Sequence, residues 1–336
     1  MRLEIVKTRN IFIDNVKGVL IFLVVFGHTI YPYIYENFGL FMVFVYIYSF
    51  HMPLFVYISG VLSKNIEKTQ QKAFQRFLLP YLVWNSFAFI LSSLYHGKLE
   101  FSFLHPFLQN WYFLSLFTMC MFLPIMIKIR WCICGIFLVS LIVGLLPEFN
   151  GTFSFSKTVC FYGYFLLGYY SNKETLDKIR RNKNIIIILG IIIMIIIYAY
   201  CAIMGIDRTV LTAVLGVLSK SDSYKDAGMN IANGIIMRMA SIPVSIILGM
   251  IVMIFTPVKK NIFTRIGRNS IIIFIFHEYF VVLSWGIMRL LNVNIAIEIV
   301  LSLIFSIGIT LFLSIDAFQR LYEKIMRTIE TIILKE

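Results

Sequence analysis

Long apolar runs, broken by short polar stretches, fill almost the whole chain. A helix rises about 1.5 Å per residue, so about 20 apolar residues cross a bilayer. Ten segments fit, at roughly 11–31, 41–62, 77–96, 111–128, 131–147, 158–172, 184–204, 232–256, 267–288 and 294–318. The pattern predicts an all-α fold, a polytopic membrane helix bundle of about ten transmembrane helices. The run NIIIILGIIIMIIIYAY is apolar on every side and predicts a lipid-facing helix. TVLTAVLGVL, at 209–218, is too short to span and predicts a re-entrant or interfacial piece.

Composition agrees. The 336 residues are 60% hydrophobic and 14% charged, against about 45–50% and 25% for a soluble domain. The expectation is a single transmembrane domain over 1–336, surrounded by membrane lipid, with no appended soluble domain. A net charge of +13 would suggest nucleic acid in a soluble protein. Here no soluble segment is left to bind one, and the charge sets topology instead. With the N-terminus in the cytoplasm, 22 Lys and Arg fall in inner segments and 6 in outer loops; Lys17 and Arg238 lie within helices. That asymmetry predicts ten spans with both ends cytoplasmic. No small-residue cleavage site follows the first apolar segment, which therefore reads as a retained signal anchor. The five cysteines are odd in number and lack zinc-ligand spacing, so they read as small apolar residues and no metal is expected.

Three of the five histidines, His28, His51 and His277, sit inside apolar segments. An ionisable group there costs about 2.5–3.5 kcal/mol on insertion scales and marks a site or pathway. The predicted topology puts Lys17 near the inner side. His28, about 16 Å further along the first helix, falls in the outer half. His51 and His277 fall near the midplane, so the three can share one cavity. Asp14 and Lys17 share a helix face, and His28 returns to nearly the same face four turns later. Two readings stand: proton-transfer chemistry with His28 as general base, or an interfacial Asp14–Lys17 ion pair with His28 bonded to a backbone carbonyl.

Pro53, next to His51, frees a backbone carbonyl and favours a kink that lines a cavity. Ser59 and Gly60 allow close helix packing. Arg76 in RFLLPY and Arg268 in IGRNS each read either as a positive-inside anchor or as a phosphate ligand. Beside Arg268, Gly267 and Asn269 open the ninth helix, whose free N–H groups suit an anion. Trp111 is a belt aromatic or, with Asn110 and Gln109, a sugar-stacking platform. Glu278 is expected to face protein, near His277 or paired with Arg238.

These segments, taken in order, resemble the acyltransferase 3 family of integral-membrane O-acyltransferases, in the fucose 4-O-acetylase-like branch. The residues that carry the likeness are Asp14, Lys17, Gly18 and VVFGH ending at His28, then FHMPLFVYISG at 50–60, RFLLPY at 76–81, WYFL at 111–114, FLLGYY at 165–170 and GRNSIIIFIFH at 267–277. The resemblance implies ten helices, a cytoplasmic acyl-CoA donor, and an acceptor hydroxyl on an envelope or lipid-linked glycan. It places the protein as a multi-pass protein of a bacterial inner or plasma membrane. Many members carry Arg where this chain has Lys17, which replaces a bidentate fork by a point charge.

Combining both lines, acetyl-CoA is expected to dock near Lys17, Arg76 and Arg268. His28, oriented by Asp14, is the expected base, or it accepts the acetyl group first. His51 and His277 position groups or shuttle protons. Trp111, Asn110 and Glu278 meet the acceptor, and the segment at roughly 205–231 covers it. The rival from another class is a proton-coupled transporter or flippase of a lipid-linked oligosaccharide, although no internal repeat is visible. A succinyl-CoA donor changes the substrate and leaves the class intact.

Overall fold

Asparagine opens helix after helix. The computed structural model describes residues 10–97, 101–147, 151–205, 223–291 and 293–333. Within them Asn10, Asn37, Asn65, Asn172, Asn230, Asn261 and Asn294 each accept a hydrogen bond from a backbone N–H of the first turn they cap. Such a cap contributes about 1 kcal/mol over Ala by satisfying an N–H that has no intrahelical partner.

The helices they start, and those between, are α1 (Ile11–Ile30), α2 (Phe38–Leu62), α3 (Ile66–Ala73), α4 (Leu79–His96), α5 (Trp111–Met126), α6 (Cys132–Val143) and α7 (Phe155–Tyr170). They continue with α8 (Lys173–Arg181), α9 (Lys183–Met204), α10 (Ile231–Phe255), α11 (Ile262–Arg268), α12 (Ser270–Leu291), α13 (Ile295–Leu313) and α14 (Asp316–Ile333). The protein is an all-helical polytopic bundle. Eight spans among the described residues are long and apolar enough to cross a membrane, with α3 and α4 joined in one. The two other predicted spans are helical at the expected places but shorter, as α6 with 12 residues and α7 with 16. The segment at 209–218 lies outside the described residues.

Helices α1 and α2 are the bundle's inside, and α9 is its outside: 78% of the α2 membrane window is buried, against 11% for α9. The lipid-facing expectation for 184–200 therefore holds. Helix α1 packs on α2, α11, α12 and α13, and α2 also packs on α7 and α10. Glycine permits these approaches. A Cβ on Gly60 would lie 2.0 Å from the Phe165 carbonyl oxygen, and one on Gly168 would lie 1.9 Å from that of Tyr57. Without hydrophobic drive between helices in lipid, such backbone proximity carries the association.

Gly267 is a second such position. It packs on α1, where a Cβ would lie 1.7 Å from the Asp14 carbonyl oxygen. Asn15 locks the same crossing: its Nδ2 donates to the carbonyls of Pro257 (2.7 Å) and Lys259 (2.9 Å), and its Oδ1 accepts from Thr264 at 2.5 Å. Asn269 is likewise committed, donating to the Ser314 carbonyl and to Asp316, each at 2.7 Å. Gly267 and the Asn269 side chain thus serve packing.

Two prolines shape the site. Helix α2 continues across Pro53, and the Ser49 carbonyl that Pro53 leaves without its i+4 donor accepts from Ser245 Oγ on α10 at 2.6 Å. Pro80 likewise cannot bond the Arg76 carbonyl. The chain answers with a wide π turn at Phe74–Leu78 between α3 and α4, and Arg76 sits in it.

Candidate active site

Two cavities lie in the bundle core. The one on the side that the predicted topology makes outer, of about 220 Å3, is lined by His28, Tyr48, His51, Gln109, Trp111, Lys157 and Glu278 among others. The inner, of about 520 Å3, is lined by Lys17, Arg76, Arg268 and Arg327 with Ser59, Tyr112 and the α14 face. Phe274 lines both. It packs on Tyr112, ring centroids 5.2 Å apart, and Tyr112 packs on Phe55 at 6.3 Å. An aromatic layer therefore divides a basic compartment from a histidine compartment.

His28, on the last turns of α1, places Nδ1 3.1 Å from Oε1 of Glu278 on α12. His277, the neighbour of Glu278, is fully buried; its Nδ1 donates to the carbonyls of Ile273 and Phe274, both at 2.9 Å. That donation leaves the Nε2 lone pair bare. It has no hydrogen-bond partner and lies 3.8 Å from Glu278 Oε1. The imidazole rings of His28 and His277 are 5.3 Å apart. His51 joins through Tyr48, whose ring is 4.7 Å from His51 and 6.2 Å from His28; His51 Nδ1 donates to the Ile47 carbonyl at 2.8 Å. The structure thus brings the three histidines together at one place, as their predicted depths allowed.

Such a group is suited to proton transfer. With Nδ1 turned to Glu278, His28 keeps Nε2 for a substrate hydroxyl, and a Glu278 carboxylate stabilises the imidazolium that results. His28, His277 and Glu278 also each offer a donor atom, all within 4.8 Å of one another, and are the residues here that could hold a metal ion.

Several expected residues stand elsewhere. Asp14 does not orient His28; it pairs with Lys17 at 3.8 Å, near the opposite end of α1. Fourteen residues at about 1.5 Å each put it some 21 Å from His28, so a shared helix face did not mean contact. Glu278 supplies the carboxylate, from the histidine cluster rather than from the acceptor platform or a pair with Arg238. Arg238 is buried against the Tyr224 ring (4.8 Å) and the Ser140 carbonyl (3.2 Å). Arg268 lines the inner cavity but is held by Asp316 at 3.2 Å.

Asn110 is buried and lines a small neighbouring cavity with Trp84 and Tyr279, not the histidine cavity; Gln109 borders both. Gln109 Nε2 donates to the Ile275 carbonyl at 3.2 Å, while its buried Oε1 has no partner. Trp111 lines the outer cavity, but Phe161 stacks on its ring at 5.4 Å and the Lys157 ammonium lies 4.7 Å over it. The ring is thus packed between Phe161 and Lys157 while bordering the cavity. Leu108 beside it is held at φ +46°, a conformation costly for a β-carbon residue and a local strain of the kind that clusters at functional sites. Of the segment expected to cover the acceptor, residues 206–222 lie outside the described residues. Its described end packs Tyr224 against the Leu141 carbonyl (2.8 Å), not over the histidines.

Tyr48, Lys157 and Phe274 were missed. Each reads as an ordinary aromatic or loop cation in sequence. Only the spacing of Tyr48 three residues before His51, one turn away on the same helix face, carried a signal.

Comparisons with known proteins bear on this geometry. Residues 88 long in alignment are 46% identical to the nodulation protein NolL of Sinorhizobium fredii, covering 23% of this chain and 24% of that protein. NolL of Mesorhizobium japonicum is 37% identical over 96 residues, 26% of each chain. The chain thus spans about a quarter of the length of these curated relatives. No solved structure matches. A family model described as an acyltransferase domain matches residues 10–316, nearly the whole chain, including the histidine cavity and all of the basic cavity's lining except that from α14. The chain belongs to the acyltransferase 3 family of integral-membrane O-acyltransferases.

Proposed function

We propose that this protein moves an acetyl group from cytoplasmic acetyl-CoA to a hydroxyl of an envelope, exopolysaccharide or lipid-linked sugar. The observation that carries this reading is the pair of cavities meeting at Phe274, one basic and one holding the His28–Glu278 pair. An acyl donor with phosphates and a neutral sugar hydroxyl need those two environments on either side of one reacting carbonyl. With both termini cytoplasmic, the basic cavity opens to the compartment that holds acyl-CoA.

In this reading His28 Nε2 takes the proton of the acceptor hydroxyl as its oxygen attacks the thioester carbonyl. The tetrahedral intermediate collapses, the carbon–sulfur bond breaks, and the thiolate takes the proton back from His28. Glu278 holds the imidazolium in between. His51 and Tyr48 shape the outer wall, and the free Oε1 of Gln109 can accept a bond from the acceptor. No cofactor beyond the acyl donor is required by these steps.

The test is transfer of labelled acetyl from acetyl-CoA to cell-envelope glycan by the parent protein and by His28→Ala at matched membrane levels. Label with the parent and none with the variant supports the reading. Equal label with both removes His28 as the base. Label from succinyl-CoA alone changes the donor, and glycan export lost without any label moves the protein to the transporter class.

A further inference from the structure

Helix α14 lies beyond residue 316, where the family match ends, yet it walls the inner cavity. Gln319, Tyr322, Glu323, Met326, Arg327 and Glu330 line that cavity, and their spacing of three and four puts them on one helix face. Away from the cavity, Leu321, Ile325 and Ile332 form an exposed apolar stripe beside Arg320 and Lys324. An amphipathic helix of this kind suits the membrane interface. It is fastened along its length: Asp316 meets Arg268 at 3.2 Å, Tyr322 stacks on Trp84 at 6.2 Å, and Glu330 accepts from Gln75 in the loop of the π turn.

Four cations from four separate elements face this one space: Lys17, Arg76, Arg268 and Arg327. Lys17 and Arg268 have carboxylate partners; among the described residues Arg76 and Arg327 have none within ion-pair distance. The acids on the α14 face are already engaged, Glu323 by Gln319 at 2.8 Å and Glu330 by Gln75. Two unpaired guanidiniums on one cavity repel each other and suit a ligand with several negative charges.

We propose that α14 is part of the donor site, and that Arg327 acts with Arg76 to grip the phosphates at the nucleotide end of coenzyme A. This rests on the reading of the inner cavity as the acyl-CoA site. The pantetheine arm then runs past Tyr112 to the aromatic layer at Phe274, where the thioester meets the histidine compartment. Donor recognition is thereby completed by a helix that follows the residues matched by the family model.

The experiment is binding of coenzyme A and of pantetheine, which lacks the nucleotide and its phosphates, to the full chain in lipid nanodiscs. Parent, Arg327→Ala and Arg327→Lys are compared by calorimetry. The expected result is a Kd for coenzyme A raised about tenfold or more in Arg327→Ala, partly recovered in Arg327→Lys, with pantetheine unaffected. Equal weakening of both ligands would make Arg327 merely structural and overturn the proposal, as would an unchanged Kd for coenzyme A. A parent that binds no coenzyme A overturns the donor reading along with it. A parent that binds it and transfers no acetyl to glycan leaves the Arg327 result to decide this proposal by itself.

Discussion

His28 and Glu278 stand 250 residues apart in the chain and 3.1 Å apart in space, joining the C-terminal end of α1 to the third turn of α12. This contact predicts that Glu278→Gln, which keeps the side chain's shape and removes its charge, lowers kcat by about 10²–10⁴. His28→Ala falls as far, and the double variant falls no further, because the two act as a unit. Initial rates of acetyl transfer decide it; additive losses would separate the two residues.

The same two residues with His277 form a three-donor group, the one found among the described residues, that raises the question of a metal. Proton-transfer chemistry predicts that dialysis against a chelator leaves transfer unchanged. Loss of activity restored by a divalent ion would reassign the group as a metal centre.

Phe274 separates the two cavities. Phe274→Ala is expected to join them, raising release of free acetate from acetyl-CoA relative to acetyl transferred. It also costs about 3–5 kcal/mol of stability. Unchanged partition between acetate and transfer would mean that the aromatic layer does not keep water from the thioester.

Gly267→Ala forces a methyl group into the Asp14 backbone and is expected to cost about 3 kcal/mol or more. Gly286→Ala meets no atom within 4 Å and is expected to change stability by about 1 kcal/mol at most. Thermal unfolding in detergent, read for both, checks the contrast.

Asp316 ties the start of α14 to Arg268 and Asn269 at the α11–α12 junction. The hydrogen bond from Asn269, then the charge of Arg268, hold its carboxyl below the usual carboxylate range. A depressed value in the fold means that its contribution is present above the unfolded value and is lost as pH falls through the folded one. Asp316→Asn is therefore expected to lower thermal stability at neutral pH and to narrow the difference from the parent in strong acid. A gap that widens in acid would contradict this sign.

What the linear pattern determined was the membrane class and the places of the helices. Twenty-residue apolar runs, caps and buried charges are properties of a single segment, and a segment carries them into any fold. The ordered motifs likewise located the family, and the depth argument, built on helix rise and charge topology, allowed the three histidines to share one cavity. What only the tertiary structure decided was which side chains touch. Asp14 and His28 share a helix face, yet helix rise keeps them some 21 Å apart, and the partner of His28 comes from α12. Asn110 and Gln109 are adjacent, yet only Gln109 reaches the histidine cavity. The amphipathic α14 folds back onto the inner mouth because its cavity face finds Gln75, Trp84 and Arg268 there. Contacts between helices depend on crossings set by glycine against backbone, and those are properties of pairs that no single segment contains.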